Sequence, residues 1–130
     1  FQATIREVAT HLEKGGQFLF DVITPHQVNV GYADYYYNND DDADNIFMWT
    51  SYPGEAANSV DHDLKFFVYD EQIDVFKILR EIHHEQTYDL ATYERELRLA
   101  GFEQIAVSAD FGDSTIDDAT DRWFFKAVKA

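Results

Sequence analysis

Lys14-Gly-Gly-Gln-Phe-Leu-Phe-Asp-Val-Ile-Thr24 is the stretch on which the reading of the whole chain turns. The Gly15-Gly16 pair suits a helix end, the run that follows has few polar side chains besides Asp21, and Thr24-Pro25 stops it. A strand solvated on one face would alternate apolar and polar residues. The near-continuous run therefore predicts a strand buried on both faces, within a parallel or mixed sheet covered by helices. The expected fold class is α/β. Ligands of open α/β sheets gather at the carboxyl ends of strands, which makes Asp21 and Thr24 candidates for a cleft.

Upstream, Phe1, Ile5, Val8 and Leu12 recur at helical spacing opposite Arg6, Glu7, Glu13 and Lys14. They predict an amphipathic helix over 1–14, ended by a left-handed Gly15 or Gly16. Helix into buried strand is half of a right-handed crossover, and the strand that should precede it is missing from the sequence. The chain opens at Phe1 in mid-helix, so the native start is expected to lie elsewhere, and a removed signal or an upstream domain stays open.

Downstream come Tyr32, the Tyr35-Tyr36-Tyr37 run and the acidic stretch 38–45. Asp40, Asp42 and Asp44 mimic the first ligands of a calcium loop. Asn45 stands where its Gly belongs and Ser51 where its Glu belongs, so an acidic loop is expected and no metal. From 46 to 88 the period becomes two. Ile46 to Tyr52, Val60 to Tyr69 and Ile73 to Tyr88 are separated by Pro53-Gly54 with Asn58 and by Asp70-Glu71-Gln72, as in a three-stranded antiparallel meander. A second helix starts at an Asp89 N-cap and carries Leu90, Tyr93, Leu97 and Ala100 on one stripe, with Gly101 ending it. Ile105 to Ala109 reads as a strand, 110–121 as an acidic loop and Trp123 to Val128 as a last strand.

The 130 residues fit one domain able to bury about two-thirds of its unfolded surface, and 45% hydrophobic with 16% aromatic residues supplies the core. Net charge is -15, and Gly15 to Leu64 holds nine Asp or Glu with no Lys or Arg. Such a surface repels polyanions, so neither nucleic acid nor an anionic membrane is an expected partner. With no Cys and no apolar run near the ~20 residues of a membrane helix, a cytoplasmic location is expected.

Val8 to Thr24, with His11-Leu12, Gly15-Gly16 and Phe20-Asp21-Val22, resembles the helix and fifth strand of class I S-adenosylmethionine-dependent methyltransferases. Ala100-Gly101-Phe102 and then Arg122 to Lys129 resemble the end of that fold, where the last strand returns antiparallel between its two predecessors. Trp49-Thr50-Ser51-Tyr52, Asn58, His62-Asp63-Leu64, Phe66-Phe67, Glu81, His83 and Tyr88 resemble the β insert of a group of small bacterial methyltransferases of largely unassigned substrate. That group is expected to carry Gln-Arg where Glu85-Gln86 stand here.

The resemblance implies the C-terminal half of a Rossmann-like methyltransferase sheet. It would be a single partial domain over 1–130, with 46–88 as the β insert. The family's glycine-rich turn after the first strand, its acid at the end of the second and its residues after the fourth have no counterpart. S-adenosylmethionine is thus expected as cofactor of the full-length enzyme, with no cofactor residues in this chain and no activity for the chain alone. Without its fourth strand, the buried strand would have an open edge that another chain can pair with, so a homodimer is expected.

Methyl transfer depends mainly on positioning, with a base wherever the nucleophile loses a proton. His83 is the candidate base and Glu81, two residues away on the same strand face, its orienting partner; both count as catalytic candidates. Trp49, Tyr52 and Tyr88 are candidate substrate contacts because aromatic faces attract cations, and Asp21 is the candidate at the cleft. Plainer readings are an acid-paired His83 on a solvated face, cross-strand packing for the aromatics and a structural ion pair for Arg122; His62, between Asp61 and Asp63, is ambiguous in the same way. The methyl acceptor is a small molecule or an unknown. The alternatives to an enzyme fragment are a non-catalytic acidic α+β dimerisation or interaction module with a basic partner, and a ligand pocket without catalysis.

Overall fold

The apolar run does form a strand, β1 (Gln17–Ile23), but its two faces are unequal. A computed structural model describes residues 1–39 and 45–130, and the chain divides into two compact units: Phe1–Gln27 with Thr87–Ala130, and Val28–Gln86. The calcium-like Asp40, Asp42 and Asp44 lie outside the described residues.

In the first unit β1 pairs antiparallel with β7 (Arg122–Lys129), which pairs antiparallel with β6 (Phe102–Ser108), in the order β1-β7-β6. The last strand therefore lies between two strands that run parallel to each other. Phe18, Phe20 and Val22 of β1 join a core built on Ile5, Ala9, Tyr93, Leu97, Phe102, Phe125 and Ala127. Leu97 and Ala127 are fully buried, and burying one Leu or Phe side chain contributes about 1.5–3 kcal/mol. Phe20 stacks on Phe125 with centroids 4.7 Å apart.

The expectation of burial on both faces is corrected here. Leu19 is 66% exposed. With Asp21, Ala106, Phe124 and Lys126 it lines an open cavity of about 490 Å³. The core cluster draws on α1 (Gln2–His11) and α2 (Leu90–Leu99), so it covers the Phe18–Phe20–Val22 face and leaves the Leu19 face open.

Helix α1 stops at His11, earlier than the predicted 14, and Leu12 is already extended. The turn after it bonds elsewhere: Gly15 N–H donates to Lys129 O and Lys129 N–H to Gly16 O, both at 2.8 Å. Joining the end of β7 replaces the hydrogen bonds another helical turn would have made. Gly15 keeps its left-handed conformation, φ +81°, inside that turn. Asp89 occupies the N-cap of α2 as expected, its backbone C=O accepting from Thr92 and Tyr93, without a side-chain cap. Gly101, φ +85°, lets β6 begin at once with the buried Phe102, three residues earlier than its alternation suggested.

The second unit is one antiparallel sheet, β2-β3-β4-β5, of β2 (Tyr36–Asn38), β3 (Asn45–Pro53), β4 (Ser59–Asp70) and β5 (Val75–Gln86). Among the described residues it has four strands where alternation predicts three. Tyr36–Asn38 is too short to show a period, and only its pairing with Met48–Thr50 makes it a strand. A π-helical turn, Gln27–Gly31, precedes it.

Candidate active site

Register fixes which side chains share a face. Ser51 pairs with His62 and His62 with His83; Trp49 pairs with Leu64 and Leu64 with Glu81. Pro53, Val60 and Glu85 form the next row. Period two then puts Phe47, Trp49, Ser51, His62, Leu64, Glu81, His83 and Glu85 on one side of the sheet. Phe47, Trp49, His62, Leu64, His83 and Glu85 line a pocket of about 200 Å³ there. Tyr32, from the turn before β2, packs edge-on over His62 at 4.7 Å, and Tyr35 lies 5.0 Å from Trp49.

His62 is the best-held group on this face, only 3% exposed. Trp49 Nε1–H donates to its Nδ1 at 3.0 Å, and Ser51 Oγ lies 2.8 Å from the same nitrogen. An indole N–H can only donate, so Nδ1 is bare and the neutral ring carries its proton on Nε2. Burial lowers the His62 pKa below the ordinary 6.5, opposed by the Glu85 charge and aided by His83. The neutral form is therefore favoured at neutral pH. Nε2 stands 3.7 Å from Glu85 Oε2, too long for a good hydrogen bond.

His83 Nε2 lies 3.0 Å from Glu81 Oε2, the pairing expected from their spacing, and both side chains are at least half exposed. On the reverse face Arg80 grips Asp63 with two hydrogen bonds of 2.8 Å. That fork holds the Asp63 carboxyl below its ordinary range, Arg80 being the main cause. His84 pairs with Asp61 there at 2.7 Å, so the adjacent His83 and His84 part to opposite faces.

Similarity to known proteins agrees with this architecture. "Putative methyltransferase YqeM" of Bacillus subtilis is 34% identical over 128 residues, 98% of this chain and 50% of that protein. "Putative methyltransferase GWCH70_2453" of a Geobacillus species is 29% identical over 97% of this chain and again 50% of its relative. An S-adenosylmethionine-dependent methyltransferase from Clostridium acetobutylicum superposes with a TM-score of 0.82 at 21% identity, covering 99% of this chain and 50% of that one. The chain resembles half of an S-adenosylmethionine-dependent methyltransferase. It spans about half the length of the curated relatives it matches. No family model matches.

Against this methyltransferase fold, the expected site residues separate. Trp49, His83 and Glu81 share the pocket face. Tyr52, 53% exposed, is on the reverse face of the same sheet, opposite Asp61. Tyr88 and Asp21 belong to the other unit. Tyr88 stacks on Phe1 at 5.6 Å, and Asp21 forms an ion pair with Arg122, the structural role that plain reading gave Arg122. Thr24 is buried, its hydroxyl donating to Thr120 O and accepting from Gln27 N–H.

Gly15-Gly16 and Gly101 each follow a helix and lead into a strand, the reverse of a strand-to-helix glycine turn. Sequence alone left His62 ambiguous and passed over Ser51. Their i, i+2 alternation with Trp49 across a predicted hairpin was the signal that could have found them.

Proposed function

We propose that the chain is the C-terminal, acceptor-side half of a methyltransferase, and that the pocket on the four-stranded sheet presents the acceptor. Support comes chiefly from coverage: nearly all of this chain matches half of each methyltransferase-like relative. In this reading the donor, S-adenosylmethionine, is bound by the other half of the protein. Trp49 and Phe47 hold the acceptor by its apolar part, His62 Nε2–H fixes its orientation, and His83, oriented by Glu81, takes the proton that the nucleophilic atom loses. Alone, the chain transfers no methyl groups.

The test is titration calorimetry with S-adenosylhomocysteine. The polypeptide alone should not bind, whereas the same polypeptide joined to the half of the Bacillus subtilis relative that it leaves uncovered should. Binding by the chain alone refutes this division of labour, and failure of the joined protein, shown folded by circular dichroism, refutes the methyltransferase reading.

One observation favours a second role. Strand β1 pairs only with β7, leaving an edge among the described residues next to the exposed Leu19. An open, apolar-flanked edge is a template for another strand. We infer that the isolated chain forms a homodimer there; light scattering should give twice the 15.1 kDa monomer mass, and a monomer at all concentrations would exclude it.

A further inference from the structure

The pocket on the second unit has a chemical polarity of its own. Its floor and walls are Phe47, Trp49 and Leu64, and its rim carries Glu85, with Glu81 beside His83. The flanking strands do contain cations, but Lys65 and Arg80 alternate to the reverse face and are engaged by Asp63. Lys77, further along β5, is paired with Asp70. Among the described residues, an anion entering the pocket would meet Glu85 and no Lys or Arg, whereas an ammonium would meet aromatic faces and Glu85.

The second feature is the aimed proton. His62 lines the pocket, its Nδ1 is taken by Trp49, and its Nε2 stands 3.7 Å from Glu85 Oε2. A donor whose nearest carboxylate oxygen stands at 3.7 Å can take a closer acceptor. A cation seated against Glu85 and an oxygen seated at Nε2 would complete both groups at once. The size restricts the guest: 200 Å³ is the room of roughly seven waters, enough for a small molecule or the end group of a larger one.

We propose that this pocket binds a small amine as its ammonium form, over the Trp49 and Phe47 rings and against Glu85, with a neighbouring hydroxyl or carbonyl oxygen on the same ligand accepting from His62 Nε2–H. The inference rests on the acceptor-side reading only in making that amine the methyl acceptor; the binding itself does not need the donor half. Within this unit, the described Lys and Arg side chains are all paired with Asp63 or Asp70.

The test titrates the 130-residue chain with three probes of one shape: 2-phenylethylamine, 2-amino-1-phenylethanol and phenylacetate. The chain has two Trp, so the indole N–H resonance of Trp49 reports the pocket while that of Trp123, in the other unit, is an internal reference. Saturable shifts of Trp49 by both amines are expected, tighter by at least threefold for the amino alcohol, with phenylacetate at least tenfold weaker than either. Glu85→Gln, at a half-exposed position that should not disturb folding, is expected to weaken both amines at least fivefold and leave Trp123 unmoved. Phenylacetate binding as well as the amines, an unchanged affinity in E85Q, or shifts shared equally by Trp123 would each overturn the proposal. The two readings fail separately: a joined protein that binds S-adenosylhomocysteine but no amine sinks only this one, and amine binding without cofactor binding leaves the pocket and sinks the methyltransferase.

Discussion

Replacing Trp49 by Phe should raise the pKa of His62. The indole N–H donates to Nδ1 at 3.0 Å, and that bond exists only while Nδ1 is unprotonated, because in the imidazolium both nitrogens are donors. It therefore stabilises the neutral ring alone, by about 0.5–1.5 kcal/mol for a neutral hydrogen bond. At 1.36 kcal/mol per pKa unit, its loss should move the pKa upward by about 0.4 to 1. Burial, the larger cause of the depression, persists in the variant. Ser51→Ala should act in the opposite direction, since the hydroxyl 2.8 Å from Nδ1 can turn and accept from the imidazolium at that nitrogen. Nitrogen-15 spectra of selectively labelled histidine across a pH series measure both, and the chemical shifts also report the tautomer. A wild-type His62 carrying its proton on Nδ1, or W49F and S51A shifting the same way, would refute the reasoning.

The depressed His62 pKa also sets a stability profile. Its folded pKa lies below the unfolded 6.5, so between the two the unfolded chain binds more protons, and stability rises with pH and is lost as pH falls. Glu85, His83 and Asp61 are the charged groups acting on it; urea midpoints of the second unit should drop between pH 7 and pH 5, and this drop should shrink in W49F. Leu97→Ala empties a fully buried site in the first core and should cost about 2–5 kcal/mol in chemical denaturation, leaving the Trp49 indole resonance in place. Gly101→Ala forces a left-handed Ala at φ +85° with its Cβ 2.7 Å from Lys129 Nζ; a loss of about 1–2 kcal/mol is expected from the backbone alone, and K129A should not restore it. Leu19→Lys places a charge beside the open β1 edge and should shift light scattering from dimer toward monomer.

Much of the architecture was legible because it depends on local periodicity and punctuation. The 3.6-residue stripe of Tyr93, Leu97 and Ala100, the Gly101 that ends it and the three long alternating runs each follow from side-chain geometry within one segment. The Glu81–His83 contact was legible for the same reason, since i, i+2 on a strand is a fixed relation. Local signals fail where the partner decides. Tyr36–Asn38 is a strand only because Met48–Thr50 pairs with it, and Leu12 leaves the helix because the turn beyond it bonds to β7.

Burial is the clearest division between the two. An apolar run such as Gln17–Ile23 specifies a strand fit for two covered faces, and sequence carries that much by itself. Whether both faces are covered depends on which helices pack there, and in this chain the core built from α1 and α2 occupies one side while Leu19 stays open. The pocket divides likewise. The sequence showed an acidic chain with an aromatic β insert, but the tautomer of His62, and so the direction in which it can donate, was decided only when cross-strand register brought Trp49 and Ser51 to one nitrogen. A hydrogen bond between residues 11 or 13 positions apart is a property of pairing, and no single segment encodes it.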